Sequence, residues 1–215
     1  TRTSTSVAPW RPEAMTTTNP DIPINHQPGH IKHDGHNLTG FIIFLCSESI
    51  IFLAFFTGFA LLKITAPEWL PEGVEGLETR MPLINTIVLV SSSFVAYFAE
   101  RYLQQKNLWG FRALWLLTMA MGTYFVYGQY VEWSELQFGL SSGVFGSTFF
   151  LLTGFHGLHV ITGILLMGLM LLRSFRPNNY EKGEMGVTSI SLFWHFVDVI
   201  WIILYLLIYV WQRTT

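Results

Sequence analysis

Five apolar stretches, 39–63, 82–103, 111–133, 146–172 and 188–211, occupy most of this chain. Each is about 22 residues or longer, and about 20 helical residues cross the hydrocarbon core of a bilayer. In lipid a backbone must satisfy its own N–H and C=O groups, which a helix does within one segment. Pro67, Pro71, Pro82 and Pro177 fall outside these stretches or at their edges, where helix ends belong. The longest stretch tilts or extends beyond the core. Composition agrees: 51% of residues are hydrophobic and 12% charged, roughly half the charged fraction of a soluble domain. The pattern predicts an all-α integral membrane bundle of five transmembrane helices.

Positive charge sets the expected orientation. Arg2, Arg11 and Lys32, then Arg101, Lys106 and Arg112, then Arg173, Arg176 and Lys182 fall on one side. Lys63, Arg80 and Arg213 fall on the other, beside the acidic Glu68, Glu72, Glu75 and Glu78. The N-terminus is therefore expected inside and the C-terminus outside. Trp69, Tyr102, Trp109, Trp133, Tyr209 and Trp211 lie at the ends of stretches and read as interfacial anchors. Residues 1–38 are polar without helical period and read as an irregular cytoplasmic tail, ahead of a membrane domain at 39–213. TRTSTSVAPWRPEAM reads as an extended or partly processed leader, with Met15 as an alternative start and no secretory signal pattern.

Several function classes drop out. A net charge of −2 with no basic run gives nucleic acid nothing to bind. Cys46, the one cysteine, has no partner for an internal disulfide and reads as a small buried hydrophobe. No phosphate-binding glycine loop, serine-nucleophile motif or paired-cysteine metal motif occurs. His26, His30, His33 and His36 read as a solvated tail rather than a metal site. The Asn37-Leu38-Thr39 sequon is discounted because it falls on the inner side.

The informative residues are the polar ones at bilayer depth. At 1.5 Å per residue, Glu48, His156, His159, His195 and Asp198 fall at one level, with Ser91, Ser92 and Ser93 near the middle of the second helix. A charge there costs roughly 2.5–3.5 kcal/mol on insertion scales, so such groups face the bundle interior and find partners. His156 and His159 share a helix face, as do His195 and Asp198. Asp198 or Glu48 is expected to accept from a histidine. Haem or metal ligation, a proton or ion pathway, and a lipid or partner contact all compete with a polar layer that only fixes register. Three membrane histidines are too few for two haems clamped across a bundle, and His156 and His159 are too close to clamp one. Gly143/Ser147 and Thr153/Gly157, with Gly154, Gly163 and Gly168, add small-residue spacing for close helix packing.

The strings GVFGSTFFLLTGFHGLHVITG (143–163) and FWHFVDVIW (193–201) closely resemble subunit III of cytochrome c oxidase, in the haem-copper oxidase superfamily. MPLINTIVLVSSS, GQYVEWSEL with Gln129, Glu132 and Glu135, and Glu48 within CSESIIFLAFF fit the same family, over about 40–211. The resemblance implies a chain without haem or copper, packed against the subunit I that holds them, beside a subunit II that receives electrons from cytochrome c. It implies bound phospholipid and support of proton uptake on the inner side. Lipid contacts and buried polar positions would fall on Glu48, His156, His159, Trp194, His195 and Asp198.

The sequence departs from the longer family form in three places. That form has seven helices, and the first two have no counterpart here, which keeps the N-terminus inside but removes one wall of the lipid cleft. A His-His pair is Glu100-Arg101, and an acid near the start of the last helix is Thr188. The expected function is a non-catalytic subunit III of a terminal oxidase fed by cytochrome c, in a bacterial plasma or thylakoid membrane. Quinol as reductant is the alternative within the superfamily. A self-sufficient proton or ion transporter is the alternative of another class, against which stand the odd helix count and the lack of inverted repeats.

Overall fold

The computed structural model describes residues 34–70, 77–176, 180 and 185–211, with side chains from Leu38 onward. The tail to His33, Glu72 and Glu75 of the acidic connection, Lys182 and Arg213 lie outside the described residues, as does the side chain of His36. All regular structure described is helical: α1 Asp34–Thr65, α2 Arg80–Gln104, α3 Leu108–Glu135, α4 Gly143–Ser174 and α5 Met185–Tyr205. A π-type turn, Leu206–Val210, continues α5. α1 starts ahead of the expected residue 39, α4 ahead of 146 and α5 ahead of 188; the added residues are mostly polar in α1, and are Gly143, Val144 and Phe145 in α4 and Met185, Gly186 and Val187 in α5.

Among the described residues, four helices are long and apolar enough to cross a membrane: α1, α2, α4, and α5 with its π-type turn. α3 has the length, at 28 residues. Its Trp109, Trp115, Trp133, Tyr124, Tyr127, Tyr130 and three glycines replace the aliphatics that carry the others past that mark.

Packing makes a ring, α2 on α3, α3 on α4, α4 on α5 and α5 back on α2, with α1 set against α4 and α5. In the most apolar stretch of α5 50% of residues are buried, against 11% in α1, so α5 is the central helix and α1 the peripheral one. Cys46, expected inside, is exposed because it sits on the open side of α1.

The link between α2 and α3 is three residues long, 105–107. Asn107 N–H donates to Tyr102 O at 2.9 Å and Lys106 N–H to Leu103 O at 2.8 Å, the paired bonds that close a helix through a left-handed residue. That residue is Lys106, at φ 61°. Asn107 then caps α3, its Oδ1 accepting from Gly110 N–H at 3.0 Å. Across the ring, Arg112 of α3 donates from Nε to Ser174 Oγ at 3.1 Å and also to the Ser174 carbonyl, an orphan at the end of α4. Its guanidinium lies 4.4 Å from the Phe175 ring centre. Beyond α4, the Tyr180 hydroxyl donates to Met170 O at 2.7 Å. Burial raises its phenol pKa, with Arg173 and Arg112 pulling the other way.

Candidate functional site

The six candidate residues separate into three groups. The first joins α1 to α4. His159 Nε2 lies 3.2 Å from Glu48 Oε2. Its Nδ1 lies 2.8 Å from Phe155 O, and a carbonyl only accepts, so Nδ1 carries a hydrogen. Nε2 therefore either accepts from a protonated Glu48 or, in the imidazolium, donates to the carboxylate. Phe52, Phe155 and Phe193 surround the imidazole at 5.0, 4.8 and 6.2 Å, leaving it 13% exposed and Glu48 17%.

The second group joins α2 to α5 through Ser92 and Ser93 of the serine triplet. His195 Nδ1 is 2.9 Å from Ser93 Oγ, and Ser93 Oγ donates to Asp198 Oδ2. Asp198 and His195 meet through a hydroxyl rather than directly, because both project toward α2 and Ser93 stands between them. The Trp194 indole donates to Ser92 Oγ at 2.8 Å. That ring fills a slot cut by two glycines: a Cβ on Gly122 of α3 would lie 2.5 Å from it, and one on Gly163 of α4 2.8 Å. Trp194 thus pins all three other helices of the ring to α5. The small-residue signal on α4 resolves unevenly, since Gly163 is used inside the chain and a Cβ on Gly157 would meet no neighbouring helix or side chain within 4 Å.

His156 stands alone as the third group. Three residues around a helix leave it about 60° from His159, enough to turn it from α1 into the ring. It is fully buried, 4.8 Å from the Trp201 ring and 5.8 Å from Phe125, and neither ring nitrogen has a hydrogen-bond partner. Among the described residues no three His, Cys, Asp or Glu side chains converge on a point where a metal ion would fit.

Sequence reasoning passed over two polar contacts. Glu132 of α3 accepts from the Tyr209 hydroxyl and from Gln129 Nε2, both at 2.7 Å. Tyr209, read as an interfacial anchor, is instead 1% exposed, because it follows the buried Asp198 by about three helical turns and so falls on the same inward face. The two departures from the family pattern also meet: Thr188 of α5 donates to Glu100 of α2 at 2.7 Å. Both residues stood out in the sequence, but nothing there placed them opposite one another.

A family model, "Cytochrome c oxidase subunit III", matches residues 24–213. The chain belongs to the cytochrome c oxidase subunit III family. It is similar to cytochrome c oxidase subunit 3 of Synechocystis sp., 39% identical over 203 residues that cover 92% of this chain and 87% of that protein. It is 42% identical to the subunit 3 of Thermostichus vulcanus over 183 residues, 85% of this chain and 90% of that one. The cytochrome c oxidase subunit 3 of Petromyzon marinus is 39% identical over 178 residues, covering 80% of this chain and 68% of that protein. The family carries no redox centre, and every candidate residue lies within the matched span. With its apolar helices and cyanobacterial relatives, this subunit III is a multi-pass protein of a bacterial plasma or thylakoid membrane.

Proposed function

We propose that this chain is the non-redox scaffold subunit of a cytochrome c oxidase, packed against a subunit I that holds haem and copper and accompanied by a subunit II. The observation that carries this is the agreement over residues 24–213 with a family whose relatives bear that name. The physical side supports it: His159–Glu48, Ser93–Asp198 and Trp194–Ser92 are bonds between helices of one chain, as expected of a rigid support. The N-terminus faces the inside, following the charge count, and the subunit supports proton uptake by its complex.

Phospholipid is part of the proposal. A groove of about 120 Å³ between α1 and α4 is lined by Ala54, Phe55, Gly58, Phe59, Leu62, Thr148, Leu151 and Leu152. Its wall is apolar except for Thr148, whose hydroxyl is spent on Val144 O at 2.8 Å, so it suits an acyl chain.

Isolation of the complex through a tag on this chain tests the reading. A haem-bearing partner and oxygen uptake with reduced cytochrome c are expected. Uptake only with quinol would move the chain to a quinol oxidase. A haem-free preparation that moves protons or ions in vesicles would make it a transporter and overturn the proposal.

A further inference from the structure

One face of α5 carries more hydrogen-bonding groups than a register-fixing layer needs. Thr188, Ser191, His195 and Asp198 fall at spacings of three, four and three, a single helical stripe. Ten residues at 1.5 Å each make it about 15 Å long, half of a bilayer core about 30 Å thick. The stripe meets α2, which contributes Glu100 at one end and Ser93 near the other. Thr188 donates to Glu100 at 2.7 Å, Ser191 Oγ is 3.5 Å from His195 Nε2, His195 Nδ1 is 2.9 Å from Ser93, and Ser93 donates to Asp198. Thr188 and Ser191 are neighbours on adjoining turns of one face. Glu100, Thr188 and His195 are partly exposed, while Ser191 and Asp198 are buried. The row therefore runs from an accessible acid to a buried one. Asp198 spends Oδ2 on Ser93 and leaves Oδ1 with no partner.

The geometry points to a proton relay along the α2–α5 seam that loads and unloads the Asp198 carboxyl from the Glu100 end. A proton reaching His195 Nε2 from the Ser191 side is matched by one leaving Nδ1 for Ser93 Oγ, while the serine's own hydrogen passes to Asp198 Oδ2. Only N–H and O–H bonds form and break. Ser93 ends with the hydrogen count it began with, His195 likewise, and the carboxylate becomes a carboxylic acid. Reversal returns the proton to water at the Glu100 end. The remaining intramembrane pair, Glu48–His159, belongs to the α1–α4 contact and lies outside the row.

Deuterium exchange at Asp198 tests this in the assembled complex. Its carboxylic C=O infrared band is assigned by loss in Asp198→Asn, and its isotope shift is timed after transfer to D2O. His195→Gln keeps a bonding group beside Ser93 but does not pass a proton under mild conditions, and Ser93→Ala removes the hydroxyl. Both should slow exchange by roughly a hundredfold, the lower end of what a positioned proton carrier contributes; Glu100→Gln should slow it less. A purely structural row gives the opposite sign, because loosening the seam speeds exchange through local opening. Unchanged or faster exchange in His195→Gln overturns the relay. So does the absence of an Asp198 band at every pH the complex survives, since a group that never takes the proton relays none.

Discussion

The Trp194 ring lies where a methyl group on Gly163 would stand, 2.8 Å from the nearest ring carbon. Gly122 on α3 is closer still, at 2.5 Å. Both contacts are shorter than carbon atoms tolerate, and the indole is also held by Ser92 and cannot swing aside freely. Gly122→Ala and Gly163→Ala should each destabilise the bundle by about 1–3 kcal/mol, the usual cost of overpacking. Gly157→Ala, with open space around it, should leave the stability of the chain unchanged. Thermal unfolding of the purified subunit in detergent ranks the three.

Glu48 and His159 meet across α1 and α4 at 3.2 Å, and that constrains which substitutions they accept. In Glu48→Gln the amide still donates to Nε2 and should be near neutral. Glu48→Leu and His159→Leu should each weaken the docking of α1. A double-mutant cycle on the leucine variants should return about 0.6 kcal/mol, the average for polar contacts in membrane bundles. A coupling of zero would show that the pair does not hold α1.

Removal of His195 tests the scaffold reading without reference to proton movement. His195→Leu deletes the bond to Ser93 and should weaken attachment of the subunit to its complex, while the haem absorption spectrum of whatever assembles stays as it was. A lost or shifted haem band in the fully assembled variant would contradict this. Asp198→Asn should be milder, because the amide oxygen still accepts from Ser93.

At the end of α4, Arg112 offers two donors in a fixed fork to Ser174. Lysine brings a point charge on a flexible stem and does not reproduce that geometry. Arg112→Lys should lower stability, and Arg112→Met by more, about 1.5 kcal/mol as for a hydrogen bond from a charged group. Urea titration in mild detergent measures both.

Lys106 adopts a backbone conformation that costs an L-residue about 1–2 kcal/mol. Lys106→Gly should therefore raise the unfolding midpoint of the subunit, an unusual direction for a single change. A midpoint that falls would mean the lysine side chain contributes more than its backbone costs.

Most of the architecture was legible because lipid leaves a chain few choices. Long apolar stretches become helices, and acids and imidazoles at bilayer depth turn toward each other. Pairing was harder. His156 and His159 share a face by spacing, yet 60° of rotation sends one into an aromatic core and the other to Glu48. Asp198 and His195 share a face and meet only through Ser93, whose importance depends on which helix stands opposite. Tyr209 misled because its place near the end of an apolar run suggested the bilayer surface, whereas its hydroxyl turns across the bundle to Glu132. Cys46 misled because apolar sequence marks contact with either protein or lipid, and only the neighbours decide which.

The three-residue link between α2 and α3 also bears on how the chain is made. A segment as rich in aromatics and glycine as α3 partitions weakly from a translocation channel by itself. Tethered so tightly to α2, it has nowhere to go but back across the bilayer beside its predecessor, with Asn85 already laid against Gly128. The two helices should leave the insertion machinery as one hairpin, and lengthening the link with a flexible spacer should strand α3 in the aqueous phase during biosynthesis.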